Sequence, residues 1–147
     1  MNRFIRVTGL VLAFSVMSLS CAYARTYETV YAEARENEKG VKNITYEQFM
    51  QIRQSGGEYV LLDVLSEKSY AGGHIEGARN FPVSEITAAS AEKRLHTDDS
   101  IIVYCGSFLC SASTQAAQKL QALGYTVLDY KGGLKEWQSK GHELVSD

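Results

Sequence analysis

The alternation of apolar and polar segments after residue 40 predicts strands that alternate with helices. Two nearly continuous apolar runs, at 59–64 and 100–104, lie between turn residues, as strands buried on both faces do. Shorter strands are predicted at 41–44, 78–81 and 125–128. This order favours an α/β fold with a mainly parallel central sheet and helices on both faces. In such sheets, ligands bind at the carboxyl ends of the strands.

Helical segments are predicted between and after these strands, at 45–54, 67–70, 111–123 and 134–140, and residues 83–95 are predicted to be helical in part. Thr45 and Gln48 have the spacing of a capping box, in which each side chain binds a free backbone N–H group of the first turn. The segment at 111–123 has the clearest helical pattern, followed by Gly124 as a C-terminal cap. Its predicted apolar face consists of Ala112, Ala116, Leu120 and Leu123.

The N-terminus has the layout of a bacterial secretory signal peptide. Two arginines precede an apolar run at 7–19, and small residues follow up to Ala24. We therefore predict a signal peptide at 1–24, cleavage after Ala24, a periplasmic or secreted protein, and no membrane attachment after cleavage. Lipidation at Cys21 is the weaker alternative, because lipoprotein signals usually place Leu three residues earlier, where this chain has Ser18.

Length and charge restrict the domain organisation of residues 25–147 and the kinds of partner expected for them. Residues 25–40 are rich in charge and are predicted to form an exposed leader or an accessory helix, and 41–147 is predicted to be one domain. The formal net charge is −2, with no basic run and no basic stripe on a predicted helix. This pattern argues against nucleic acid as a partner and favours small molecules or another protein.

Cys105 is the strongest candidate for chemistry, because it ends a buried strand directly before a loop and a helix. Free N–H groups and the positive end of a helix dipole lower the pKa of a thiol placed there, and the thiolate is the nucleophile. A loop that curls around the sulfur would also direct its N–H groups at an anion. The predicted anion-binding backbone is that of Gly106, Ser107, Phe108, Leu109 and Cys110. A buried, inert cysteine has the same local pattern, so the pattern by itself leaves both readings open.

Three separated motifs resemble signatures of the rhodanese-like domain family. Residues 61–82, which include Asp63 and His74, resemble its N-terminal signature, and 132–141 resemble its C-terminal signature. The Cys105 loop between them resembles the family's active-site loop. The resemblance implies a three-layer fold over 41–147 and a sulfurtransferase that carries sulfur as a persulfide on Cys105. It also implies a small sulfur-containing donor, a thiol or cyanide acceptor, and neither a metal nor an organic cofactor.

The sequence departs from the family pattern in three places. Leu65 replaces a usual arginine, Phe108 stands where glycine is common, and Cys110 adds a second thiol at the end of the loop. The loop contains no Lys or Arg, which puts thiosulfate in doubt as the natural donor. We interpret Asp63 as a residue that organises the backbone at a strand end. We interpret His74 as a structural residue that forms a hydrogen bond near the loop, rather than as a general base.

Other functions remain in competition with sulfur transfer. Cys105 and Cys110 could form a redox or sensor pair, in which Cys110 is a candidate resolving thiol and a periplasmic reductant reopens the disulfide. A non-enzymatic binding module is the third hypothesis, favoured by the missing basic loop residues. A cysteine phosphatase is disfavoured, because Ser111 stands where that class needs an arginine to bind phosphate.

Overall fold

A computed structural model describes residues 29–33 and 40–146, so the predicted signal peptide and most of the leader lie outside the described residues. The strands are β1 (Lys42–Ile44), β2 (Val60–Asp63), β3 (Arg79–Asn80), β4 (Ser100–Tyr104) and β5 (Thr126–Tyr130). The helices are α1 (Tyr46–Gln54), α2 (Glu67–Gly72), α3 (Ala88–Arg94), α4 (Ala112–Ala122) and α5 (Gly133–Ser139). Within the described residues, no helix is long and apolar enough to cross a membrane.

The strands form one five-stranded sheet in the order β1-β5-β4-β2-β3, and neighbouring strands are parallel. The central strand is β4, which pairs over its full length with β5 and along 101–104 with β2. Asp63, Tyr104 and Tyr130 are register partners at the carboxyl ends of these three strands. The predicted parallel sheet is therefore confirmed, and the residues after β2, β4 and β5 emerge at one edge.

Alternate residues of β4 are buried in two separate apolar clusters. Ile102 and Tyr104 pack with α1 and α5 on one side of the sheet, whereas Ile101 and Val103 pack with α3 and α4 on the other. Burying an apolar side chain of this size contributes roughly 1.5–3 kcal/mol to stability. The arrangement confirms the prediction of helices on both faces and a three-layer fold.

Local capping decides where two of the helices begin. The Thr45 hydroxyl accepts a hydrogen bond from the Gln48 N–H and the Gln48 side chain accepts one from the Thr45 N–H, which confirms the predicted capping box at α1. Thr87 and Ser90 form a second box. Residues 83–95 are helical in part, as predicted: residues 83–85 form a turn after Pro82, and α3 begins only after Thr87.

The buried face of α4 differs slightly from the predicted face. Its buried residues are Ser113, Ala116, Ala117 and Leu120, whereas Leu123 is 37% exposed. Leu123 lies at the C-cap, where the chain leaves the core and turns at Gly124, whose φ of 91° confirms the predicted glycine cap. The shift has a consequence for the site, because it directs the polar side chain of Ser113 inward.

Part of the charged leader packs on the domain. Residues 29–33 are helical, and Val30 and Tyr31 are buried in the apolar cluster that also contains α1. Glu33 forms an ion pair with Lys42 of β1. These contacts place this short segment on the core beside the edge strand.

Candidate active site

Cys105 follows β4 at the carboxyl edge of the sheet and is fully buried. Two backbone hydrogen bonds from α5 fix the start of its loop: Leu134 N–H donates to the Cys105 carbonyl at 3.0 Å, and Lys135 N–H donates to the Gly106 carbonyl at 2.9 Å. These two bonds hold the carbonyls of Cys105 and Gly106 against the start of α5. The C-terminal motif therefore supports the loop that holds the cysteine.

Gly133 makes this support sterically feasible. Its φ is 57°, a conformation that favours glycine, and a Cβ atom at this position would lie 2.1 Å from the Cys105 carbonyl oxygen. Any larger residue would push α5 away from the loop or force the loop to shift. The second glycine of the motif is thus explained by its contact with the backbone of Cys105.

The sulfur of Cys105 lies in a polar environment made by the loop and by the first turn of α4. Its Sγ is 3.4 Å from Ser113 Oγ, 3.5 Å from the Cys110 carbonyl oxygen and 3.9 Å from that of Ser107. Burial raises the pKa of the Cys105 thiol, and the neighbouring Cys110 thiol raises it further, whereas the hydroxyl and N–H groups of Ser113 lower it. The net direction is upward, so the expectation of a lowered pKa at Cys105 is wrong, because desolvation outweighs the helix N-terminus.

Cys110 has the opposite shift. It is only half-buried, and although burial raises the pKa of its thiol, four contacts together lower it. These are a hydrogen bond from the Cys105 thiol, the N–H groups of Ala112 and Gly106, and the charge of Lys131. The pKa values of the two thiols therefore shift in opposite directions, and Cys110 is the one that ionises first.

Three backbone N–H groups act on the two sulfurs. Those of Gly106 and Ala112 interact with the sulfur of Cys110, and that of Ser113 interacts with the sulfur of Cys105. The Cys110 N–H instead donates to the Ser107 carbonyl at 2.9 Å and closes a turn. The N–H groups near the two sulfurs therefore come from the beginning of the loop and the beginning of the helix, and the anion site over Gly106 to Cys110 stays a prediction.

Lys131 brings positive charge to a loop whose own sequence has none. Its Nζ donates to the Cys110 carbonyl at 2.8 Å and to Thr114 Oγ1 at 3.0 Å. It directly follows β5, the neighbour of β4, so both segments emerge at the same edge of the sheet. Sequence reasoning missed Lys131 because it considered basic residues only within the loop, although the position directly before Gly132 is a signal that could have been used.

A buried polar group lies behind the cysteine and was also missed. Thr114 Oγ1 donates to Asp129 Oδ2 at 2.8 Å. Burial raises the pKa of Asp129, while hydrogen bonds from Ser113 and Thr114 and the charge of Lys131 oppose the shift. These side chains link β5 to α4 immediately below Cys105. A sequence signal existed in the Ser-Thr pair at the helix start, but only packing shows that it points inward.

Asp63 and His74 lie outside the sulfur's immediate contacts. Asp63 Oδ1 accepts from the Leu65 N–H at 2.9 Å at the end of β2, and burial raises the pKa of this carboxyl. His74 Nδ1 donates to the Tyr70 carbonyl at 3.0 Å, and its ring stacks on that of Tyr70. The backbone of His74 pairs with Val145. His74 thus binds Tyr70 and the C-terminal segment, rather than the loop near which it was expected.

The outer side of the loop is apolar and exposed. Phe108 is 61% exposed and Leu109 is 96% exposed. They border an open cavity of about 390 Å³ that Lys135 and Ser139 of α5 also line. Ser107 of the loop also lines this cavity. Among the described residues, no cluster of His, Cys, Asp and Glu is placed to hold a metal ion.

Comparison with known proteins identifies the class of this domain. The model of the rhodanese-like domain family matches residues 45–140, most of the chain, and the protein therefore belongs to this family. A solved structure of a Bacillus halodurans protein superposes with a TM-score of 0.64 at 25% identity, over 81% of this chain and 85% of that one. The sheet, the cysteine loop and the glycine motif are thus those of a rhodanese-like domain.

The names of individual relatives indicate the kind of chemistry found in this family. The chain is 37% identical to the Bacillus subtilis protein YqhL, over 68% of this chain and 75% of that protein. It is 34% identical to human thiosulfate:glutathione sulfurtransferase, over 58% of this chain and 84% of that one. It is 33% identical to the Escherichia coli thiosulfate sulfurtransferase PspE, over 51% of this chain and 70% of that protein. The family is therefore of sulfurtransferase type.

Proposed function

We propose that this protein is a sulfurtransferase that carries sulfane sulfur as a persulfide on Cys105. The observation that carries the proposal is the position of this sulfur at the end of β4, beside the hydroxyl and N–H groups of Ser113 at the start of α4. The N–H groups of Gly106 and Ala112 act on the neighbouring sulfur of Cys110. Hydrogen-bond donors in these positions would stabilise a persulfide anion. Membership of the family and the names of the human and Escherichia coli relatives support the same chemistry.

Loading begins when the Cys105 thiolate attacks the outer sulfur of the donor. Cys105 first loses its proton to water, so that the loading step does not require Cys110. With thiosulfate, Cys105–S⁻ and S₂O₃²⁻ give Cys105–S–S⁻ and SO₃²⁻, so that one sulfur–sulfur bond forms and another breaks. A polysulfide reacts in the same way and leaves a shorter polysulfide.

Unloading transfers the outer sulfur to an acceptor. An acceptor thiol R–SH reacts with Cys105–S–S⁻ to give R–S–SH and the Cys105 thiolate, which is ready for another cycle. The exposed side chains of Phe108 and Leu109 flank the approach and favour an acceptor with apolar groups beside its thiol. Cyanide, which is smaller, serves as an artificial acceptor.

Lys131 and Lys135 supply the positive charge that an anionic donor requires. Lys131 contacts the end of the loop, and Lys135 borders the outer cavity. Basic residues near the mouth of a site attract anions and increase their local concentration. Thiosulfate and polysulfide are therefore both proposed donors, although the loop itself contains no Lys or Arg.

Export is proposed on the basis of the N-terminal sequence. Cleavage after Ala24 would deliver the mature protein to the periplasm or the medium, where a dedicated reductant is needed to keep thiols reduced. Mass spectrometry of the protein recovered from a periplasmic fraction tests this proposal. A mature N-terminus at Arg25 is the expected result, and retention of residues 1–24 would contradict it.

Intact mass spectrometry after incubation with thiosulfate or polysulfide tests sulfur transfer. Because a second thiol can remove the sulfur again, the Cys110→Ser variant is the cleanest substrate for loading. We expect this variant to gain one sulfur atom, mapped by peptide analysis to Cys105, and to lose it on addition of a thiol. Cys105→Ser is the matched control and should gain none. If Cys110→Ser gains no sulfur from either donor, the proposed function is wrong.

A further inference from the structure

Cys110 is a second free thiol within the same loop and has the features of a reacting group. Both cysteines are free in this structure, Cys105 buried and Cys110 partly accessible. Each of the two thiols shifts the pKa of the other. The Cys110 carbonyl oxygen lies 3.5 Å from Cys105 Sγ, so the two cysteines are direct neighbours across the loop.

The position of Cys110 is fixed from two directions. Its N–H is bonded to the Ser107 carbonyl at 2.9 Å. Its carbonyl oxygen accepts from Lys131 Nζ at 2.8 Å and lies 3.5 Å from Cys105 Sγ. These contacts hold the Cys110 main chain against the sulfur site, so the thiol is positioned there and does not sample the surrounding solvent freely.

The electrostatic environment of Cys110 also favours reaction. The N–H groups of Ala112 and Gly106 and the charge of Lys131 act on its sulfur. These are the groups that make a thiol nucleophilic. A buried structural cysteine, the ordinary alternative, would lack such a set of donors and would be inaccessible.

We propose that Cys110 resolves the Cys105 persulfide, so that the protein releases sulfide and closes a Cys105–Cys110 disulfide. This inference rests on the proposed sulfurtransferase function, because the persulfide must form first. Cys110 attacks the inner sulfur, Cys105 Sγ; the bond between Cys105 Sγ and the outer sulfur breaks, and the outer sulfur leaves with the proton of Cys110. Cys110–SH and Cys105–S–S⁻ thus give the disulfide and HS⁻, with atoms and charge balanced.

The electrons balance within the protein. The outer sulfur is reduced from sulfane sulfur to sulfide, and the two cysteine sulfurs are oxidised to a disulfide. No external oxidant is required. Reopening the disulfide requires a dithiol reductant, which forms its own disulfide and returns both cysteines to thiols. The overall activity is therefore a dithiol-dependent reduction of sulfane sulfur, with transfer to an external thiol as the competing route.

A single-turnover experiment tests this activity. Reduced protein, freed of reductant, is mixed with thiosulfate in excess, and sulfide is measured together with the intact mass. For the wild type we expect up to one sulfide ion for each protein molecule, a transient gain of one sulfur, and a final loss of two hydrogen atoms. Peptide mapping should locate the bridge between Cys105 and Cys110. In protein that retains residues 1–24, the mapping should also show that Cys21 is not part of the bridge. Repeated turnover should begin only when a dithiol is added.

Two variants separate this inference from the proposed function. Cys110→Ser should load with sulfur and retain it, with sulfide release at least about tenfold slower than in the wild type. Cys105→Ser should neither load nor release sulfide. If the wild type keeps its persulfide as long as Cys110→Ser does, the inference is wrong and the sulfurtransferase stands.

Other outcomes are equally decisive. If the wild type forms the disulfide without releasing sulfide, the bridge arises by a different reaction and the inference is wrong. If no protein gains sulfur from thiosulfate or from polysulfide used in a parallel arm, both the function and the inference fail. Because the wild-type time course is informative by itself, a folding defect in a variant would not rescue the inference.

Discussion

Two opposing effects act on the sulfur of Cys105. Burial disfavours its thiolate, whereas the hydroxyl and N–H groups of Ser113 stabilise it. A thiol with a raised pKa is protonated at neutral pH, and its thiolate fraction increases as the pH rises through the folded-state pKa. The rate of sulfur loading should therefore increase from neutral into alkaline pH until this thiol is ionised.

Ser113→Ala tests the stabilising half of this balance. Removal of the hydroxyl 3.4 Å from Cys105 Sγ should raise the pKa of Cys105 further. At neutral pH we expect loading from thiosulfate to slow by about tenfold, which corresponds to about 1.4 kcal/mol. The pH profile of the loading rate should move to higher pH.

Ser111→Ala is the matched control, because Ser111 is exposed and its hydroxyl accepts from the Gln115 side chain. The profile of this variant should coincide with that of the wild type. If Ser113→Ala changes the rate but leaves the pH dependence unchanged, the hydroxyl has only a packing role.

Lys131 can be tested through the reactivity of Cys110. Its charge lowers the pKa of Cys110, so Lys131→Met should raise this pKa and decrease the thiolate fraction near neutral pH. In the wild type, iodoacetamide should modify Cys110 before Cys105, and at lower pH. In Lys131→Met, modification of Cys110 should slow and its midpoint should move upward. Lys119→Met removes an exposed charge from α4 and should leave the rate and the pH midpoint of Cys110 modification unchanged. An equal shift of the midpoint in the two variants would exclude a local effect of Lys131.

At the scale of elements, the loop depends on α5 as much as on α4. The N-terminus of α4 supplies N–H groups to the sulfurs, and that of α5 holds the carbonyls of Cys105 and Gly106. The two helix starts therefore act on opposite sides of the same backbone. This explains why a motif far along the chain from Cys105 is part of its site.

Gly133→Ala tests the contribution of α5. The positive φ and the 2.1 Å approach to the Cys105 carbonyl make alanine unfavourable. We expect a loss of about 3 kcal/mol or more in the free energy of unfolding, from backbone strain and overpacking together. Urea denaturation measures this loss, and sulfur loading should decrease with it.

Gly72→Ala is the comparison, because Gly72 is exposed in α2 and a Cβ there meets nothing within 4 Å. We expect no loss of stability in this variant. Equal stability of the two variants would contradict the role assigned to Gly133.

At the scale of the whole molecule, strand order assembles the site. Because β4 lies between β5 and β2, segments that are distant in sequence meet at one edge of the sheet. The side chain of Tyr104, at the end of β4, links two of these segments. Its hydroxyl accepts a hydrogen bond from the Ile75 N–H at 3.0 Å and interacts with Asp63 at the end of β2. The core beneath this edge also includes residues of the leader, so the domain extends beyond the strands and helices at 41–147.

Tyr31→Ala tests whether the leader is part of the fold. Tyr31 is 2% exposed and belongs to the cluster around α1. Truncating an aromatic side chain of this kind costs about 3 kcal/mol or more, measured by thermal or urea denaturation. Leu109→Ala removes an exposed side chain and should change stability by no more than about 0.5 kcal/mol. If the two variants are equally stable, the leader contributes nothing to the core.

Local signals in the sequence determined much of the fold. Strands at 59–64 and 100–104 were predicted because apolar runs of that length are buried in a sheet, and Thr45 with Gln48 predicted a helix start because capping involves only neighbouring residues. The nucleophile candidate Cys105 followed from its place between strand and helix. These features depend on interactions within a few residues, which a sequence displays directly.

Only the tertiary structure decided the chemistry around the sulfur. The order β5-β4-β2 brings Lys131 to Cys110, and the rotation of α4 brings Ser113 to Cys105. Burial reverses the expected shift at Cys105 and leaves Cys110 as the more acidic thiol. Desolvation and charge act through space, and the distances between residues remote in sequence are set by strand pairing and helix packing, which the amino-acid pattern does not display.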